Sequence, residues 1–141
     1  VRFWDSSAIV PLLLAEEASA DVEALLRGDR ETIVWWSTRT ECLSALHRRL
    51  RDGRLERRDL EIGRNRLLLF EKDSIVVQPG DPIRDKAERL LAIHLLRAAD
   101  AFQLAAALAA SEEHTVDLPF VTLDDRLAEA AGREGFAVLP R

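Results

Sequence analysis

A chain of 141 residues is the length of one ordinary domain, and no apolar run in it nears the roughly 20 residues that span a bilayer. A single cysteine, Cys42, excludes an internal disulfide framework and a multi-cysteine zinc site. The net charge of −5 excludes a globally basic nucleic-acid binder, and with no leader pattern at the N-terminus the expected compartment is the cytoplasm.

In chain order, "VRFW" is a short apolar strand that stops at Asp5, and "SSAIVPLLLAEE" reads as a helix with Pro11 in its first turn or breaking it there. "ASADVEALLRG" is a second helix ending at Gly28, and "TIVWWS" is a β-branched and aromatic strand. The alternation of a strand places Trp35 and Trp36 on opposite faces of a sheet, each against a helix layer, so the tryptophans read as core. "TRTECLSALHRRLRDG" is a helix ending at Gly53, and "RLERRDLEIGRNRLLLFEKD" is a further helix with a weak point at Gly63. "SIVVQP" is the third strand, closed by Pro79. "DPIRDKAERLLAIHLL" then begins with Asp81 as N-cap and Pro82 at the first helical position, followed by the Ala-rich helix "RAADAFQLAAALAASEEH". "LPFVT" is the fourth strand, "DDRLAEAAGREG" a helix ending near Gly132, and "FAVLP" a short last strand.

Apolar strands separated by helices too long for hairpin turns imply parallel pairing with helices on both faces. The expectation is a single α/β domain over 1–141: a three-layer α/β/α sandwich on a central, mainly parallel sheet of about five strands. In such sheets ligands bind at the carboxyl ends of strands. The acids fall there: Asp5 directly after the first strand, Asp124 and Asp125 after the fourth, Glu41 in the first turns of the helix after the second, and Asp100 in the opening turn of the Ala-rich helix.

Each acid also has a local role open to it. Thr38 and Glu41 match the capping box T-x-x-E, Asp5 and either Asp124 or Asp125 suit an N-cap, and Asp100 favours a helix dipole. Taken together, converging carboxylates repel and resist desolvation, so a fold that gathers them normally supplies a cation. Hard oxygen donors point to Mg2+ or Mn2+, ions that bind phosphate oxygens and lower the pKa of an attacking water, and hence to phosphodiester hydrolysis. Charge is segregated as well: His47 to Arg66 holds eight Arg against four acids, net +4, leaving −9 elsewhere. That stretch reads as a solvated helical hairpin or as a flank that faces phosphates or a partner.

"FWDSSAIVPLL", "TECLSALHR", "LRAADAFQLAAAL" and "FVTLDDRLAEAAGREGF" together resemble the PIN domain family, and within it the VapC-type toxin nucleases of bacterial toxin–antitoxin pairs. The resemblance implies that Asp5, Glu41, Asp100 and Asp124 form a metal-binding catalytic quartet supported by Ser7 and Thr122, with Arg97 as an RNA or antitoxin contact. It also implies a Mg2+- or Mn2+-dependent endoribonuclease that cuts tRNA or rRNA, forms a homodimer and is neutralised by a VapB-type antitoxin. The N-terminal helices and the 47–66 hairpin are the expected dimer and antitoxin surfaces, and of Trp4, Trp35 and Trp36 one left exposed would suit a dimer or antitoxin contact better than base stacking. Gln103 stands where relatives often carry His. A housekeeping RNA-processing PIN nuclease, or a PIN domain that binds RNA or antitoxin without cutting, is the alternative. A phosphoacceptor receiver lacks its lysine after the last strand here, and a haloacid-dehalogenase-type phosphatase lacks its D-x-D, since the chain reads "DSS" at residues 5–7.

Overall fold

The computed structural model describes all 141 residues, Val1–Arg141. Strands β1 (Arg2–Trp4), β2 (Thr32–Trp35), β3 (Ile75–Val77), β4 (Phe120–Val121) and β5 (Val138–Leu139) form one sheet in the order β3-β2-β1-β4-β5. Every neighbouring pair is parallel, so the mainly parallel sheet expected from sequence is wholly so. Helices α1 (Ser6–Leu13), α2 (Ser19–Gly28), α3 (Thr38–Arg51), α4 (Arg57–Lys72), α5 (Asp81–Ile93), α6 (Ala98–Ala110) and α7 (Asp125–Arg133) cover it. No single helix is long and apolar enough to cross a membrane.

Side-chain alternation along the strands divides the interior into two cores. Phe3, Ile33, Trp35 and Phe120 face α5, α6 and α7, where Phe3 stacks on Phe120 at 5.2 Å and Trp35 on Phe102 at 5.6 Å. Trp4, Val34 and Val121 face α1 to α4, with Trp4 edge-on to Phe70 at 6.0 Å. The chain works outward from β1 through β2 to β3, then crosses to β4 on the other side of β1. The order reverses between β1 and β4, and an open parallel sheet leaves its ligand crevice at that reversal.

Several local expectations need correction. Asp81 is not an N-cap: Gly80 holds that position and Asp81 is already helical, with Pro82 in the first turn. Pro11 neither starts nor breaks α1; it lies buried in the later part of the helix, which ends at Leu13. Gly63 is no weak point, because α4 runs through it; it is buried, and a Cβ there would lie 3.4 Å from the Leu14 and Leu46 side chains and 3.5 Å from the Leu13 carbonyl, in ordinary contact. Trp36 does not pack on the second face of the sheet. β2 ends one residue earlier and Trp36 is 55% exposed.

Candidate functional site

Asp5 and Thr122 leave the sheet on either side of the reversal point, at the carboxyl ends of β1 and β4. Asp5 is the N-cap of α1 and is buried. Its Oδ2 accepts three hydrogen bonds, from the Ser7 amide at 3.2 Å, the Ser7 hydroxyl at 2.5 Å and the Thr122 hydroxyl at 2.9 Å. With both hydroxyl protons committed to Asp5, the two hydroxyl oxygens are free to accept: Ser7 Oγ takes the Leu123 amide and Thr122 Oγ1 the Asp124 amide. This network fixes the β4–α7 turn against α1. Asp5 Oδ1, by contrast, has only a 3.4 Å contact with Ser6 Oγ, a hydroxyl that lies nearer to Glu41 Oε1 at 3.1 Å.

Glu41 projects from the first turn of α3. The capping box read from T-x-x-E does not form: Ser37 is the N-cap, and Thr38 is buried inside the helix. Ser37 donates its hydroxyl to Glu41 Oε2 at 3.0 Å. Gln103, from α6, points its amide nitrogen at Thr38 Oγ1 at 2.9 Å and at the two Glu41 oxygens at 3.3 and 3.2 Å. Gln103 is fully buried and its Oε1 has no partner.

Asp100 lies in the first turn of α6, one turn before Gln103 on the same helix face. Asp124 is the N-cap of α7, its Oδ1 accepting from the Leu127 amide at 2.9 Å. The cap and the site are thus the same residue at both Asp5 and Asp124. Asp125 is the first residue of α7 and is exposed.

Three of the acids, Asp5, Glu41 and Asp100, have their proton affinity raised in part by the charge of a neighbouring acid, which places the four in a shared field. Burial pushes the Asp5 carboxyl up, opposed by its Ser7 and Thr122 hydrogen bonds and reinforced by Asp124. Burial likewise raises Glu41, with Gln103 and Ser37 opposing and the charge of Asp5 adding to the rise. Asp100 is pushed up to about 6 by desolvation and then by Asp124 and Asp5, against the opposing charges of Arg97 and Arg126. None of the four carboxylates forms an ion pair. Arg97, the N-cap of α6, and Arg126, in the first turn of α7, act on Asp100 from beyond ion-pair distance.

The donor set fits a hard divalent cation: all oxygen, mutually repelling, partly desolvated and without a basic partner. No group of three or more acidic, His or Cys side chains is arranged to hold an ion by itself, so Asp5, Glu41, Asp100 and Asp124 would hold one together with water, as suits Mg2+. A cleft of about 520 Å3 opens beside Glu41, the one of the four acids that lines it, with Ser6, Ser7, Ser37, Arg48 and Arg49 among its other walls. Of the basic hairpin, then, Arg48 and Arg49 reach the cleft, Arg49 while also paired with Glu16 at 2.6 Å. Burial pushes the Cys42 thiol far up, leaving it no nucleophilic character.

Sequence reasoning missed Ser6, Ser37 and Arg126, and noted Gln103 without a role. The only signal for Gln103 was its spacing of three from Asp100 on one helix.

The family model for the PIN domain matches residues 2–133. Among solved structures, the chain is similar to FitAcB from Neisseria gonorrhoeae, with 17% identity, a TM-score of 0.66, and coverage of 99% of this chain and 97% of the other. It is similar to PAE2754 from Pyrobaculum aerophilum, with 21% identity, a TM-score of 0.61, and coverage of 92% and 84%. It is also similar to FitAB bound to an IR36 DNA fragment, with 16% identity, a TM-score of 0.64, and coverage of 99% and 94%. Among proteins with curated descriptions, none matches the chain.

Proposed function

The chain belongs to the PIN domain family, and from that premise we propose that it is a Mg2+- or Mn2+-dependent endoribonuclease, the toxin of a VapBC-type toxin–antitoxin pair. The observation that carries this reading is the set of four carboxylates, Asp5, Glu41, Asp100 and Asp124, gathered at the sheet's reversal point with no basic side chain paired to any of them. These four would hold the cation. When bound, a divalent ion offsets the negative charge of a phosphodiester and makes water a better nucleophile at neutral pH.

The protein's own residues supply the positioning. Ser7 and Thr122 saturate one oxygen of Asp5 and leave Oδ1 with a single 3.4 Å contact, from Ser6. Ser37 and Gln103 hold both oxygens of Glu41. Asp124 is oriented by capping α7. Arg97 and Arg126 add positive charge near Asp100, and Arg48 adds it in the wall of the cleft beside Glu41, where phosphates flanking the scissile bond would need it. The products carry 5′-phosphate and 3′-hydroxyl ends, and the substrate is tRNA or rRNA in the cytoplasm. A VapB-type antitoxin restrains a homodimer of the toxin; the likeness to FitAcB and FitAB supports this partner class only through shared fold. The second reading, a housekeeping or non-cleaving PIN domain, has no residue in its particular favour.

The test is cleavage of total RNA by the purified protein in Mg2+, Mn2+ or EDTA, beside Asp100→Asn, with product ends mapped. Cleavage that needs the metal and is lost in the variant is the expected result. RNA left intact by folded, antitoxin-free protein under every condition would discard the nuclease reading.

A further inference from the structure

The chain has five Phe and three Trp and no Tyr, and of these eight rings only Trp36 is exposed. Its backbone is fixed: its amide donates to the Val77 carbonyl at 3.0 Å, which ties it to the carboxyl end of β3. The next residue, Ser37, is the N-cap of α3 and donates to Glu41. Trp36 therefore stands at the carboxyl edge of the sheet, next in the chain to a residue that lines the cleft beside Glu41.

Two crevices meet at its indole. One, of about 510 Å3, is walled by Trp36, Trp35, Phe102 and Pro79 and includes Ser37. The other, of about 210 Å3, lies between Trp36, Val76 and Gln78 and includes Thr40. Ser37 and Thr40 also line the cleft beside Glu41, so each crevice shares a wall residue with it. Their rims carry the ion pairs Arg84–Asp81 and Arg39–Glu71, each at 3.2 Å. The larger crevice has mainly apolar walls, with the charged pair at its edge. The ligand that would reach the ring is set by its place: the next residue, Ser37, lines the cleft beside Glu41 and donates to that carboxylate.

We propose that Trp36 is a base-stacking platform: an unpaired nucleobase of the RNA strand lies against its indole while a neighbouring phosphate occupies the cleft beside Glu41. The assignment rests on the nuclease reading for the identity of the strand. Every base has a π-face, so a ring at this place favours single-stranded or unstacked segments over duplex without selecting one base.

The test uses the full chain, Trp36→Ala and Trp36→Phe, with a single-stranded RNA dodecamer of mixed sequence and the same dodecamer built from abasic riboses. Binding is followed in Ca2+ by the fluorescence anisotropy of a 5′-labelled RNA for all three proteins, with the indole fluorescence of the wild type read alongside; cleavage is followed separately in Mg2+. RNA is expected to quench the wild-type signal. The Ala variant is expected to bind RNA roughly 5- to 150-fold more weakly, Phe to recover most of that factor, and the abasic strand to bind all three proteins alike. Wild-type affinity in the Ala variant, an unmoved indole at saturation, or an equal loss on the abasic strand overturns the proposal. So does a dimer that dissociates in the Ala variant at unchanged RNA affinity, which would assign the ring to a protein contact. Cleavage by the wild type with Trp36-independent binding removes stacking alone, whereas Trp36-dependent binding without cleavage removes the nuclease reading alone.

Discussion

Gln103 Nε2 lies 3.3 and 3.2 Å from the two oxygens of Glu41, joining α6 to α3 through a fully buried amide. The same nitrogen reaches Thr38, so one side chain anchors the start of α3 and aims its carboxylate. Gln103→Leu keeps the approximate volume and deletes the donor. Hydrogen bonds to charged groups contribute about 1.5–3 kcal/mol, so the variant is expected to lose about that much in urea denaturation and to need more Mg2+ for half-maximal cleavage. A stable variant with an unchanged metal requirement would show that Ser37 and Ser6 suffice to hold Glu41.

Asp100 carries a pH signature. Its pKa is raised to about 6 in the folded protein from an ordinary 3.8, so the folded state binds the proton more tightly than the unfolded chain. The sign follows from linkage: in metal-free protein this carboxylate costs stability above about pH 6, and the cost is relieved as pH falls toward 4. Asp5 and Glu41, also raised, act in the same direction. In EDTA, the melting temperature of Asp100→Asn is expected to exceed that of wild type at pH 7.5, with the gap closing toward pH 5, although the variant does not cleave. A constant gap across that range would refute the shared-field account of the acids.

Mg2+ should reverse that cost at neutral pH. A ligand at 100 times its Kd stabilises by about 2.7 kcal/mol, which for a domain of this length is roughly 5–10 °C in melting temperature. The two adjacent acids after β4 separate cleanly here. Asp124 caps α7 and raises both Asp5 and Asp100, whereas Asp125 is exposed and enters neither shift. Asp124→Asn retains a good capping residue, so it is expected to melt normally without metal and to lose the Mg2+-induced rise; Asp125→Asn is expected to keep the rise. The reverse pattern in calorimetry would exchange their roles.

Gly135 has a structural role away from the acids. Its φ of +98 is open to glycine and strained for other residues, and a Cβ there would sit 2.6 Å from Thr115 Oγ1. Gly135→Ala is expected to lose about 1–3 kcal/mol by denaturant titration while cleaving RNA at the wild-type rate well below its melting temperature. Lost activity in folded variant protein would mean that this turn reaches the site.

The alternation of apolar strands with amphipathic helices was legible because each pattern depends on residues close together in the chain. So was the position of the acids: a carboxylate cannot continue a buried strand, and Asp5 and Asp124 therefore mark the ends of β1 and β4 from sequence. What holds those acids was not legible. Ser6, Ser37 and Gln103 are common residue types that matter only through partners up to 62 positions away. The Thr38–Glu41 pair shows the limit most plainly, since its spacing fits a local cap, yet a buried amide from α6 and the neighbouring Ser37 hydroxyl engage these side chains instead. Trp36 shows it too, because strand alternation governs direction only while the strand lasts, and β2 ends one residue before it. Local periodicity and the cost of burying carboxylates thus specify the element types and which end of the sheet carries the charge. That β1 and β4 are neighbours across the reversal of strand order follows from the fold alone, because that pairing joins residues more than a hundred positions apart and is set by the packing of two separate cores.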